Sequence, residues 1–514
     1  MYIIPNTTIR LIKNCPLDPN YENTIYFTSL AAQTTYFTST LSGLLFNANS
    51  YQRVNKGTLR VAVNAETIYN YNYLAFQNTS FGNRWFYAFI RKIEYVNNVT
   101  SEITYELDVL QTWHFSYELE QCFVEREHSV TDAIGDNLVP EKLETGEYMI
   151  DKYSEPDCLD PTAWDIVLFC TIDDQYQPVD AYWNLYMGSG LFPKTFPNTQ
   201  AGVNAMVTWM AQIPVTMQGK AIVSATLMPH FMTTASGVGS WSDAPVTTMM
   251  RSDGTAVRNK KCLTYPYNFL YVTNFQGKYA VYRYEFFHNK LACTFEFYGK
   301  VTPDPVFVAV PSAYKLDLPE TFANNNNYDE MIELSGFPQI PFNTDAFKAW
   351  LAQSASSIAI NGMSFVAGMV TGNVPVAAAA ATGLAHQAVE GAITSAMPPQ
   401  SRGGVAGSGK FSTGKLTLGF MNKHITPEFA TIIDDYFSMY GYACKQVKTP
   451  NRTARPEWNY VKTIGCKIKG IESGFGGLPA EDADKIESIY NAGVRFWNNP
   501  AHIGDYTYNN SPSI

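Results

Sequence analysis

The stretch Arg84-Trp85-Phe86-Tyr87-Ala88-Phe89-Ile90, continued by Ile93–Val96 and answered by Ile103-Thr104-Tyr105-Glu106-Leu107-Asp108-Val109, decides the fold class. The first part is aromatic and β-branched, as strands prefer. Asn97 and Asn98 then break it, and the second part alternates apolar with polar side chains, the pattern of a half-buried antiparallel strand. The expectation is a long β-hairpin. Working outward, residues 1–130 read as an N-terminal β domain. Residues 131–330 read as a middle β-rich region punctuated by Pro and Gly. Its clearest predicted hairpin runs from Tyr279 to Tyr298, turning near His288 and Asn289, and Asn324–Asn327 reads as a surface loop.

Toward the C-terminus the pattern changes period. Thr426 suits a helix N-cap, Pro427 the first helical position and Gly441 a left-handed stop. Between them Ile432, Ile433, Tyr436, Phe437 and Tyr440 recur at helical spacing, predicting one apolar face. A second helix is predicted from Pro479 to Asn491, with Ala483, Ile486 and Tyr490 inward and Gly493 ending it. Alternating segments at Asn459–Lys462 and Cys466–Lys469 supply strands between them. Residues 411–514 therefore read as a small α+β module attached to a mainly β chain.

Composition narrows the function classes. Of 514 residues, 16% are charged and 14% aromatic, and Asp+Glu (46) outnumber Lys+Arg (36), giving a net charge of -10. Low charge with many aromatics fits β-rich domains with large buried or subunit-facing surfaces. A net-acidic chain without a basic cluster is poorly equipped to grip nucleic acid, since phosphate neutralisation supplies most of that affinity. The eight cysteines are scattered without a CxxC pair, which disfavours zinc sites and disulfide scaffolds and leaves reduced, mostly buried thiols as the expectation. The opening MYIIPNTTIRLIKN lacks the charged and apolar regions of a signal peptide.

One segment departs from everything around it. From Ala349 to Val389 there is no Asp, Glu, Lys or Arg, and after Glu390 the next charge is Arg402. Thr371-Gly372-Asn373-Val374-Pro375 divides it into two halves of roughly 20 residues, each about 30 Å long if helical, near the thickness of a bilayer core. Ala and Gly dominate. The larger groups are Ile358, Ile360, Met363, Phe365, Val366, Met369, Val370, Val374, Val376, Leu384, Val389 and Ile393, and Gly403, Gly404, Gly407 and Gly409 supply hinges. Each large aliphatic side chain gains roughly 1.5–3 kcal/mol on burial, so something must cover the segment. A buried helical hairpin, a segment that changes place and a constitutive membrane anchor all satisfy that requirement. Residues 331–410 thus form an apolar helical or loop insertion with a Gly-rich hinge.

No catalytic constellation is visible. Gly404–Phe411 approaches the phosphate-binding GxxxxGK[ST] loop, but Phe411 replaces the hydroxyl and Pro398-Pro399-Gln400-Ser401 replaces the preceding strand. The seven histidines show no metal-ligand spacing. Asp173-Asp174 and Asp434-Asp435 read as solvated acids, and no GxSxG elbow occurs. Catalytic residues, metal sites and cofactors are none on this reading.

Six strings carry a family resemblance: Asn83–Ile90 (NRWFYAFI), Tyr105–Trp113 (YELDVLQTW), Cys122–Ser129 (CFVEREHS), Tyr440–Asn451 (YGYACKQVKTPN), Asn459–Thr463 (NYVKT) and Val494–Tyr506 (VRFWNNPAHIGDY). In that order they resemble the tail knob, or distal tail tube, proteins of phi29-like short-tailed phages. The resemblance covers roughly the first 130 and last 100 residues and flanks an apolar insertion where that family carries one. It implies antiparallel β domains that build a tube in a homohexameric ring, with the C-terminal module packing with the tube. It also implies a virion protein at the distal end of the tail, in contact with other tail proteins of the proximal tail or collar. The loop, carried over to about 354–404, would plug the channel and later exit to form a pore in the host cell membrane. Genomic DNA would pass through the lumen without tight binding, as net acidity favours. The rival readings are a tail-tip receptor-binding module and a cell-wall hydrolase.

Overall fold

The computed structural model describes residues 7–48, 57–160, 164–176, 191–217, 220–234, 238–287, 292–316, 326–337, 339, 416–471 and 477–512. The chain divides into two compact units. One comprises 1–144, 250–262 and 427–514, the other 145–249 and 263–426. Both are built mainly from antiparallel sheets, as the alternating segments require.

In the first unit a six-stranded antiparallel sheet runs Gly43–Ala48, Thr7–Lys13, Tyr71–Asn78, Trp85–Asn97, Thr100–Leu107 and Thr58–Val61. The predicted long hairpin is its Trp85–Asn97 and Thr100–Leu107 pair. Tyr87, Ala88 and Phe89 are all buried because the sheet is covered on both faces. Phe37, Tyr73, Tyr87 and Phe89 pack on one side with Ile486, Tyr490 and Phe496. Ile9, Leu11, Leu74, Ala88 and Ile103 pack on the other with Ile68. Burial on both faces accounts for the unbroken apolar run in that strand.

The five-stranded sheet of this unit interleaves the two ends of the chain. Its order is Asn23–Ile25, Val494–Trp497, Trp458–Ile464, Cys122–Glu127 and Tyr442–Lys448, with only the first pair parallel. The predicted helices occur at Pro427–Tyr440 and Ala480–Ala492. Gly441 ends the first at φ 63°. A Cβ there would lie 2.3 Å from the Glu127 carbonyl oxygen, so glycine meets both a conformational and a steric need. Of the predicted apolar face only Ile433 and Phe437 are buried, and Tyr436 and Tyr440 are half-buried. Ile432 is 63% exposed, and the buried positions are Ala430, Ile433, Asp434, Phe437 and Ser438. The acid-rich pattern concealed this, because a carboxylate occupies a core position.

The second unit holds three antiparallel sheets around one large core. One is ordered Tyr148–Ser154, Gly419–Ile425, Asn268–Thr273, Tyr279–Tyr282. Another is Val238–Asp243, Cys293–Gly299, Val306–Ser312, Ile332–Ser335. The third, Phe192–Pro197, Trp164–Cys170, Ile222–Pro229, has a middle strand buried along its whole length. The predicted Tyr279–Tyr298 hairpin does not form. Both strands exist, but they belong to different sheets, separated by a helical turn at Tyr284–Phe286. Alternation shows that a segment is a half-buried strand; it does not choose the partner. Asn324 and Asn325 lie outside the described residues, and Asn326 bridges to Ser312.

Candidate functional site

The apolar insertion is flanked by two described strands of the second unit, Ile332–Ser335 before it and Gly419–Ile425 after it. Although these belong to different sheets, one turn holds both of their insertion-facing ends. That turn, Asn274–Lys278, follows the strand Asn268–Thr273. Asn274 is 2% exposed, and its side-chain oxygen accepts from Gln276 N–H (2.9 Å) and Lys278 N–H (3.0 Å). Phe275 and Gly277 both take positive φ, 54° and 95°, which the tight reversal demands.

Toward the first flank, the Asn274 amide donates to the Glu333 carbonyl at 2.9 Å and the Gln276 amide to the Ser335 carbonyl at 2.6 Å. Lys278 pairs with Glu333 at 2.7 Å. Beyond Gly336, at φ 82°, Phe337 returns to the core against Trp164 and Phe307. Toward the second flank, Gly419 pairs with Thr273 and Phe420 with Val272. A Cβ on Gly419 would stand 2.5 Å from Phe275 Cζ, so the ring closes over that glycine. Phe420 stacks on Trp241 at 3.8 Å, and Leu416 and Leu418 are buried beside it. An open groove lined by Gly277–Ala280 and Met331–Glu333 lies next to this root.

The turn Asn274–Lys278 thus contacts both flanks, Ser335 through Gln276 and Gly419 through Phe275, while past Ser335 the chain stays packed, with Gln339 bridging to Thr226. Phe337, Leu418 and Phe420 are buried beside that turn, each gaining roughly 1.5–3 kcal/mol on burial.

The sheet bearing the second flank shows an apolar outer face. Tyr153, Met421, Tyr271 and Val281 lie in one row across its four strands. Tyr148, Ile150 and Tyr279 extend it, with Tyr279 65% exposed and Ile150 53%. Lys423 Nζ lies 3.7 Å from the Tyr271 ring centroid.

The insertion residues Ile358, Ile360, Met363, Phe365, Val366, Met369, Val370, Val374, Val376, Leu384, Val389 and Ile393, and the hinge residues Gly403, Gly404, Gly407 and Gly409, lie outside the described residues. So does the phosphate-loop near-match at 404–411. Among the described residues no helix is long and apolar enough to cross a membrane, and no group of three or more His, Cys, Asp or Glu is placed to hold a metal ion. All eight cysteines are free, and six of them are buried.

Sequence reasoning missed a buried ionic cluster in the first unit. Asp434, read as a solvated acid, is 0% exposed. Arg251 donates to its Oδ2 at 2.5 Å, and Arg258 N–H and Asn259 N–H donate to its Oδ1 at 3.0 and 2.9 Å. Asp435 is half-exposed and also reaches Arg251, at 2.8 Å. These contacts clamp the excursion 250–262 to the helix Pro427–Tyr440. Nearby, buried Lys261 donates to Glu141 and to the Val139 carbonyl, and burial pushes its ammonium down to about 7. The available signal was that Asp434, unlike its neighbour Asp435, falls beside the buried Ile433 and Phe437 on the helix, where a carboxylate needs buried donors or a cation.

Comparison with known proteins supplies the context for both units. A family model described as Bacillus phage phi29, tail knob protein gp9, C-terminal domain matches residues 237–511. A second, described as caudoviral major tail protein N-terminus, matches 5–118. The tail knob protein gp9 of Bacillus phage B103 is 24% identical, covering 99% of each chain, and that of Bacillus phage phi29 is 23% identical with the same coverage. These relatives carry the name of a structural tail component. Among solved structures, the tail knob protein gp12 of bacteriophage C1 shares the fold, with a TM-score of 0.65 at 15% identity over 99% of both chains.

Proposed function

Because the chain belongs to the family of the phi29 tail knob protein gp9 and is a structural component of a phage tail, we propose that six copies form a ring at the distal end of the tail through which the genome leaves. The large apolar side chains of the insertion, from Ile358 to Ile393, plug the channel. On ejection they exit about the hinge glycines 403, 404, 407 and 409 and contact the host membrane as a pore. In this division of labour, 1–130 and 131–330 supply tube and middle β domains, 331–410 the insertion, and 411–514 a module packing with the tube. Other tail proteins of the proximal tail or collar seat the ring, and DNA passes without tight binding.

The observation that carries the reading is the charge-free run from Ala349 to Val389, an apolar load that needs either a covering partner or a membrane. Two features support it. The root at Asn274–Lys278 gathers both flanks, so the intervening chain can relocate while its ends stay fixed. The Tyr153–Met421–Tyr271–Val281 face offers apolar area for contact with neighbouring copies. Native mass spectrometry with negative-stain imaging tests the assembly: a six-fold ring with an occluded channel is expected, and a stable monomer contradicts it.

A further inference from the structure

Cys122 opens the strand Cys122–Glu127, and Cys466 lies just past the strand Trp458–Ile464 that pairs with it. The ladder runs to Ile464↔Phe123, and beyond it Glu120 N–H donates to the Lys467 carbonyl at 2.9 Å. In an unbroken strand Cys466 would project to the face opposite Cys122. Gly465, at φ 64°, breaks the alternation. The two cysteines are therefore both buried, 5% and 1% exposed, at adjoining ends of paired strands, and each thiol bears on the titration of the other. Other thiols are directed elsewhere: Cys158, Cys170 and Cys444 donate to carbonyls, and Cys262 to Asp434.

We propose that Cys122 and Cys466 are a latent dithiol that closes an intrachain disulfide when the protein meets a disulfide oxidant. A virion protein is made in a reducing cytosol and later carried into oxidising surroundings. In the step, one cysteine loses its proton and its thiolate attacks the sulfur–sulfur bond of the oxidant, releasing one oxidant thiolate. The second cysteine, as thiolate, attacks the mixed disulfide, forming the Cys122–Cys466 bond and releasing the other. Two protein thiols are oxidised and the oxidant is reduced to two thiols. Burial pushes both thiols up, Cys466 to about 12, so closure waits on opening of the short neighbouring ladder of Tyr117–Leu119 with Ile468–Gly470. The bond would join the N-terminal and C-terminal segments of the first unit.

The test exposes the intact chain to oxidised glutathione, quenches, denatures, alkylates and counts thiols by mass. Two of the eight thiols are expected to vanish, so that the chain takes up six alkyl groups instead of eight and a peptide linking Cys122 to Cys466 appears. Cys122→Ser and Cys466→Ser should each abolish that peptide. Retention of all eight thiols overturns the proposal, as does a bond between any other pair or a lone glutathione adduct on either cysteine. The wild-type measurement decides even if a variant folds poorly.

Discussion

The Gln276 side-chain amide donates to the Ser335 carbonyl at 2.6 Å, and the neighbouring Phe275 ring closes over Gly419. Residues 84 apart in sequence, on either side of the insertion (419 minus 335), are thereby held by two consecutive side chains of one turn.

We predict that this root is stressed by a side chain at 419. Gly419→Val should destabilise the second unit by about 1–3 kcal/mol, because the added carbons meet an aromatic ring in a packed core. Urea denaturation would measure it, and an unchanged midpoint would show that Phe275 swings away without cost.

The ionic clamp gives a larger effect. Asp434→Ala leaves Arg251 buried without its main partner, and removal of one member of a buried pair costs about 3–5 kcal/mol. A loss below about 1 kcal/mol by the same measurement would mean that Asp435 takes over the guanidinium.

Acid sensitivity follows from His128. Its Nδ1 accepts from Tyr460 N–H at 2.8 Å, and its Nε2–H donates to the Ser438 carbonyl at 3.0 Å, so both partners fit only the neutral ring. Burial first, then the nearby Arg455, hold it down at about 3, against 6.5 when unfolded. The unfolded chain therefore binds the extra proton first. This contribution is complete above pH 6.5 and is lost as pH falls toward 3, by up to about 1.4 kcal/mol per pH unit. Asp108 works against it: burial raises its carboxyl to about 6, so the folded state takes up that proton first and gains stability as pH falls through 6. His128→Asn should flatten the acid limb between pH 6 and 4 by about one proton. An unchanged slope would show that His128 does not shape the acid limb.

The same particulars show what could be read in advance. The Trp85–Asn97 hairpin and the two C-terminal helices were legible because local alternation, helical spacing and glycine stops specify them. Strand partnership was not: Tyr279–Tyr282 and Cys293–Gly299 each look like half of a hairpin, yet pair elsewhere. Nor was the interleaving of Asn23–Ile25 with Val494–Trp497, since no local pattern encodes contact between chain ends. The insertion was legible as an apolar load. Its root was not, because Asn274, Gln276 and Gly419 are ordinary turn and strand residues until the fold brings them together. Asp434 was misread because adjacent acids are usually solvated.

In the proposed function the insertion acts on membranes while the rest of the chain holds the structure. The most direct test compares dye leakage from liposomes caused by the full chain and by a chain lacking 354–404, both first shown by imaging to assemble. Leakage is expected from the full chain, and an intact ring without leakage from the deletion. Undiminished leakage from the deletion would contradict the proposed function.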